Sequence, residues 1–159
     1  MRELTMVVEI PRGSRNKYEM DHETGEIYLD RMLFTATRYP ADYGFVPETL
    51  ADDGDPLDVL VLLEEPTFPG CRIRVRPIGL FMMQDSGADD HKVIAVPHGD
   101  PRWTNLSDIG DLPTHHRLEL EHFFSVYKDL EGKKTVGLGW KGLDETLQII
   151  DRAFAAYEG

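Results

Sequence analysis

The sequence predicts an α+β domain whose body is a small antiparallel β-barrel or curled sheet, with two helices in the last third of the chain. Three observations predict it. Short apolar or alternating runs, cut by Gly, Pro and Asp turns, recur from residue 5 to residue 97. Helical spacing of apolar residues appears only afterwards, at Leu120, Phe123, Phe124 and Tyr127 and again from Leu143. No long linker, low-complexity tract or repeat interrupts the 159 residues, so residues 1–159 read as one domain large enough to bury a core.

The elements follow in order. TMVVEI (5–10) and NKYEM (16–20) are predicted strands. DHETG (21–25) is turn-like and leads into EIYLD (26–30), which gives a hairpin. RMLFTA (31–36) follows, then a Pro/Gly-punctuated stretch, YPADYGFVPET (39–49). LDVLVLL (57–63) is apolar on both faces and reads as a central strand. RIRVRPIG (72–79) alternates arginine with Ile73 and Val75, so one face is expected to be wet. LFMMQ (80–84) and KVIAVP (92–97) flank the loop DSGADDH (85–91). The first helix carries the stripe Leu120, Phe123, Phe124, Tyr127, and the second Leu143, Leu147, Ile150, Phe154, Tyr157. KKTVGLGW (133–140) between them is one more strand. Many short strands followed by two helices point away from alternating βαβ units.

Charge and composition exclude several functions. A formal net charge of -12 disfavours nucleic acid and anionic membrane, which bind through basic surfaces. It leaves room for a small phosphate ligand, because bound metal reverses the local sign. Cys71 is the single cysteine, so neither an internal disulfide nor a thiolate zinc site is available. The N-terminal MRELTMVVEI reads neither as a signal peptide nor as a membrane span, and the expectation is a soluble cytoplasmic protein.

DDGDPLDVLV (52–61) raises the central question, because it crowds acids ahead of a buried strand. Carboxylates repel one another, and burial raises the cost of their charge. In an extended chain Asp53 and Asp55 project to one side, about 7 Å apart. Asp58 sits at the mouth of the strand. A second group, Asp85, Asp89 and Asp90, lies on another loop, so the two groups could share one rim and hold a hard cation such as Mg²⁺ through oxygen. The plain alternative is a polar turn ahead of a strand. An EF-hand is rejected: counting from Asp53, the sixth position, which should be glycine, is Asp58. Lys17 and Glu19 share one face of NKYEM, and Arg31, Lys92, Tyr127 and Lys128 add phosphate-suited donors near the acids.

Other patterns carry less. GLGWKG (137–142) is formally G-x-G-x-x-G, yet the chain leaves no room for the acidic strand a dinucleotide fold needs, so these glycines are read as a strand-to-helix junction. His115, His116 and His122 lack the spacing of a zinc helix and are read as solvated. His22 and His91 are read as solvated turn residues, with a role in tuning the acid site as the alternative. Two rival functions remain at this point: a non-catalytic barrel that binds metal or single strands, and a two-metal phosphohydrolase acting on nucleotides or diesters.

DGDPLDVLV resembles the D-x-D-P-x-D signature of the family I soluble inorganic pyrophosphatases of bacterial type. VVEIPRGSRNKYEMD, LDRMLFTATRYPADYGFVPETL, RPIGLFMMQD, DDHKVIAVP and HFFSVYKDLE resemble further blocks of that family, in family order. The resemblance implies an OB-like five-stranded antiparallel barrel with helices outside it. It implies Mg²⁺-dependent hydrolysis of pyrophosphate to two orthophosphates by in-line attack of a metal-activated hydroxide, with several Mg²⁺ per site and Mn²⁺ or Zn²⁺ as substitutes. A homohexamer is the implied assembly. Asp53, Asp58 and Asp90 match ligands of the tighter metal pair, and Asp85 joins Asp90 on metal that arrives with substrate. Glu9 and Glu19 match acids that reach metal largely through water. Asp55 matches the general base. Lys17, Arg31, Tyr43, Lys92, Tyr127 and Lys128 match the phosphate-binding set, and Tyr39 a pocket tyrosine. One departure is Ser86, where many members carry Glu; His22 and His91 are also untypical.

Overall fold

In the computed structural model, which describes residues 2–159, five strands close into a ring. β1 (Leu4–Ile10), β4 (Asp42–Val46), β5 (Leu57–Val61), β8 (Lys92–Pro97) and β6 (Arg72–Asp85) are hydrogen-bonded in that order, and β6 pairs back onto β1. β2 (Asn16–Met20) and β3 (Ile27–Met32) form a separate antiparallel hairpin. β7 (Ala88–Asp89) and β9 (Thr135–Lys141) extend the sheet along β6. Helix α1 (Thr114–Val126) precedes β9, and α2 (Leu143–Glu158) follows it. This is the OB-like α+β architecture. Among the described residues, no helix is long and apolar enough to cross a membrane.

The ring is antiparallel at every pairing except β5–β8, which is parallel. Parallel neighbours need a long crossover. Here β6 lies within that crossover. The consequence is positional: the two strands begin at the same end, which sets Asp58 opposite Lys92.

Strand alternation sorts the apolar residues onto two faces. Met6, Val8, Val46, Val59, Val61, Val75, Leu80, Val93 and Ala95 come from all five ring strands and fill the barrel. Ile150 and Ala153 of α2 complete this cluster. The outer face carries Leu60, Leu62, Phe81, Met83, Ile94 and Val96, and α1 covers it with Leu120, Phe123 and Phe124. At about 25 cal/mol per Å², each such side chain contributes about 1.5–3 kcal/mol on burial.

Several local expectations change. RIRVRPIG and LFMMQ are one bent strand, β6, with a register shift between Pro77 and Gly79. Gly79 permits the bend's packing, because a Cβ there would lie 2.5 Å from Cβ of Ile109. β3 likewise runs through the expected EIYLD/RMLFTA junction to Met32. The wet face of RIRVRPIG ends early: Arg76 is buried and donates to the carbonyls of Leu106 (2.6 Å) and Trp103 (2.9 Å). On α2 the buried line is Thr146, Ile150, Ala153, while Tyr157 is 57% exposed because it lies a turn beyond the last barrel contact. GLGWKG does join β9 to α2.

β1 and β4 approach too closely for any side chain at position 44. A Cβ on Gly44 would lie 1.8 Å from the Val7 carbonyl oxygen, and the glycine's own backbone is ordinary strand. Gly44→Ala must therefore push β1 off the ring. It is expected to cost about 3 kcal/mol or more, at the upper end for overpacking. Urea unfolding checks this: the midpoint should drop well below that of wild type.

Candidate active site

Along the face that α1 covers, apolar side chains give way to charged ones at one end of the strands. On β5, Leu60 is followed by Asp58, with Leu62 one residue past the strand in the same series. On β8, Val96 and Ile94 are followed by Lys92. On β6, Phe81 and Met83 lead to Asp85. A period of two keeps each series on one face. The same physics that buries the apolar members therefore aims the charged ones into a common space at the edge of the core.

That space is a cleft of about 340 Å³. Asp53, Asp55, Asp58, Asp85 and Asp90 all line it, together with Glu9 and Glu19. Lys17, Tyr43, Lys92, Tyr127 and Lys128 face the same space, as does Tyr39. Of the residues predicted for the site, Arg31 alone does not line the cleft. Its guanidinium is bidentate on Glu131, with Nε 3.1 Å from Oε2 and a terminal nitrogen 2.8 Å from Oε1, and it also pairs with Asp30.

Local structure places each group. In the loop 50–56, the Asp55 N–H donates to Asp53 Oδ1 at 3.0 Å, and Gly54 between them takes φ +88°, a left-handed turn that favours glycine. Glu9 is 8% exposed and accepts the Met20 N–H at 2.9 Å, which ties the β2–β3 hairpin to the barrel. Lys17 and Glu19 ride on that hairpin. Ser86, in the turn after β6, donates its hydroxyl to Asp85 Oδ1 at 3.2 Å, and Lys128 pairs with the other Asp85 oxygen. Tyr39 packs between Tyr43 (5.4 Å between ring centres) and Phe123 (4.7 Å).

Lys92 is the hub. It is 1% exposed and donates to Asp58 (2.7 Å), Asp90 (2.9 Å) and the Tyr43 hydroxyl (2.8 Å). Burial alone would depress its pKa, yet the flanking carboxylates hold the ammonium above its ordinary value. Burial pushes Asp58 up to about 6 even against Lys92, and lifts Asp53 as well. It lifts Glu9 furthest among the carboxyls, to about 7. Asp90 goes the other way: its cation neighbours, Lys92 first, outweigh its burial and lower it. Tyr39, Tyr43 and Tyr127 are all raised, chiefly by burial, and stay neutral donors.

These donors fit a hard divalent cation. Every anionic group is an oxygen ligand, and Glu9, Asp53 and Asp58 carry charge that burial disfavours. Among the described residues, no three acidic, His or Cys side chains already converge as a cage; the Lys92 ammonium sits between Asp58 and Asp90 instead.

Some members of the site were not predicted. Asp30 and Glu131 hold Arg31, and Glu131 lies 100 residues from it, a separation at which sequence spacing carries no signal. His22 is exposed but lines the cleft, edge-on to Phe45 at 4.7 Å, rather than sitting free in a turn. His91 also departs from a solvated turn: it is half-buried, and its Nδ1 accepts the Met83 N–H at 3.2 Å. His115, His116 and His122 are exposed, as predicted.

Glu9 gives the fold a pH dependence with a definite sign. Its folded pKa, about 7, exceeds its ordinary 4.5. The folded state thus favours the proton, and this contribution is fully present below about 4.5 and lost as pH rises through about 7. Metal-free protein is expected to lose up to about 3 kcal/mol from this group across that window. Glu9→Gln should abolish that part of the decline. Thermal unfolding of both proteins from pH 4.5 to pH 8 is the check, and parallel curves would refute it.

A family model described as inorganic pyrophosphatase matches residues 6–158. The chain is 58% identical to the inorganic pyrophosphatase of Leifsonia xyli subsp. xyli, over 96% of this chain and 94% of that one. It is 55% identical to the inorganic pyrophosphatase of Streptomyces coelicolor, over 98% and 96%. The crystal structure of inorganic pyrophosphatase from Thermus thermophilus superposes with a TM-score of 0.95 at 46% identity, covering 99% of this chain and 92% of that one. Matches of this length and identity, on the fold and cleft described above, establish that the chain belongs to the inorganic pyrophosphatase family.

Proposed function

We propose that this protein hydrolyses inorganic pyrophosphate to two orthophosphates with Mg²⁺ as its divalent cofactor, Mn²⁺ or Zn²⁺ substituting. One observation supports this most: a single cleft gathers six aspartates with Lys17, Lys92 and Lys128. Empty, such a cleft repels a small polyanion. Bound divalent cations supply charge that reverses this repulsion and acidify water. Asp53, Asp58, Asp85 and Asp90 are the residues that would hold them, with Glu9 and Glu19 acting through water. The family takes a divalent metal cofactor.

The chain's own groups divide the remaining work. Asp55 is exposed at the cleft mouth, where it can accept a proton from the attacking water. Lys17, Lys128 and the neutral hydroxyls of Tyr43 and Tyr127 contact phosphoryl oxygens and offset charge as the bridge breaks. Arg31 joins them once released from Asp30, with Glu131 still holding its guanidinium. Lys92 keeps Asp58 and Asp90 ionised and facing one another. Cys71 does not line the cleft, and no covalent nucleophile is required.

Residues 1–159 act as one catalytic domain in this reading, cytoplasmic and assembled as a homohexamer. Leu29, Met32, Phe34 and Phe68 are more than half exposed, which suits subunit contact.

Phosphate release from pyrophosphate, ATP and a phosphodiester tests the substrate class. Release is expected from pyrophosphate alone, with Mg²⁺ and not with chelator; equal release from the diester would overturn the reading. Asp55→Asn is expected to fold normally and slow turnover by about 10²–10⁴-fold. A near-normal rate would remove the proton-accepting role.

A further inference from the structure

We propose that Asp30 is a built-in stand-in for a phosphoryl group: it engages the cations Lys17 and Arg31 and sets phosphate affinity by competing for them. This deepens the proposed function and rests on it for the identity of the natural ligand.

The two carboxylates on Arg31 are unequal. Glu131 comes from the turn after α1, its side chain is 6% exposed, and both its oxygens are engaged by the guanidinium. It holds one edge of the planar fork, the strongest arrangement available to Arg. Asp30 is the neighbour of Arg31 on β3, its side chain is 35% exposed, and it uses a single oxygen. Of the two, Asp30 is the partner that yields.

The same Asp30 oxygen, Oδ2, lies 3.8 Å from Lys17 Nζ. Lys17 and Arg31 face each other in the β2–β3 register, so one oxygen bridges two cations. A phosphoryl oxygen entering the cleft alongside Lys17 meets the same pair. When Asp30 swings out, terminal N–H groups of Arg31 become free while Glu131 keeps the guanidinium plane fixed. This accounts for a phosphate-suited arginine that does not line the cleft. Asp30 is then a positioning residue for affinity: it keeps two cations in place when the cleft is empty and weakens the hold on product.

The test reads orthophosphate binding directly, by isothermal titration to the full enzyme with Mg²⁺ present. Asp30→Asn removes the competing charge and is expected to bind orthophosphate about three- to tenfold tighter, the range of one or two partly exposed ion pairs given up. KM for pyrophosphate should fall with it, without a rise in kcat. Asp30→Glu restores the charge and should return orthophosphate affinity toward wild type. Glu131→Gln should weaken binding at least threefold, because Arg31 loses its anchor. Unchanged or weaker orthophosphate binding in Asp30→Asn overturns the proposal, as does unchanged binding in Glu131→Gln. Because binding is read without turnover, a wild-type protein that failed to cleave pyrophosphate would sink the proposed function and leave this test standing.

Discussion

The ammonium of Lys92, 1% exposed, is bonded at once to Asp58, Asp90 and Tyr43, and these contacts join three strands and a loop at one point. A lone buried charge of either sign would cost several kcal/mol. Here each charge is tolerable because the others are present. The register that allows it is the parallel β5–β8 pairing, which brings the starts of two strands side by side. An antiparallel pair would have put Asp58 and Lys92 at opposite ends of the barrel. The topology of the ring and the chemistry of the cleft are therefore one constraint.

The site grows out of the core without a separate scaffold. α1 covers the outer face as far as Phe124, and Tyr127 at its end is already a wall of the cleft. Lys92 lies 5.6 Å from the Phe124 ring centre and 5.1 Å from that of Tyr43, so aromatic faces as well as carboxylates meet its charge. Across the cleft, the β2–β3 hairpin stands outside the ring and is tethered at its turn end by Glu9 and near its open end by Arg31–Glu131. One wall is thus built into the barrel and the other is held by hydrogen bonds and ion pairs. That division suits a cleft that must grip a small anion and then let it go.

Much of this could be read from the residues alone. LDVLVLL announced a central strand because it is apolar on both faces, and the stripe Leu120, Phe123, Phe124, Tyr127 announced α1. Asp53, Asp55 and Asp58 were legible as candidates, over a plain polar turn, because Asp58 opens a buried strand and Asp85, Asp89 and Asp90 form a second acid group on another loop. What escaped was set by geometry across long sequence distances. The Arg31–Glu131 pair and the single parallel pairing leave no local trace. The burial of Arg76 depends on carbonyls of Trp103 and Leu106 that only the folded loop presents. Tyr157 kept the right spacing but lies past the end of what α2 covers.

In the proposed function, buried carboxylates held together by Lys92 form a site that a divalent cation completes. The most direct measurement is thermal unfolding of metal-free protein at neutral pH during titration with Mg²⁺, with NaCl at matched ionic strength as the control. The expected result is a saturable rise of several degrees in the midpoint with Mg²⁺ and little change with NaCl, since a ligand bound only by the folded state stabilises it. A midpoint that ignores Mg²⁺, or that follows ionic strength alone, would contradict the account.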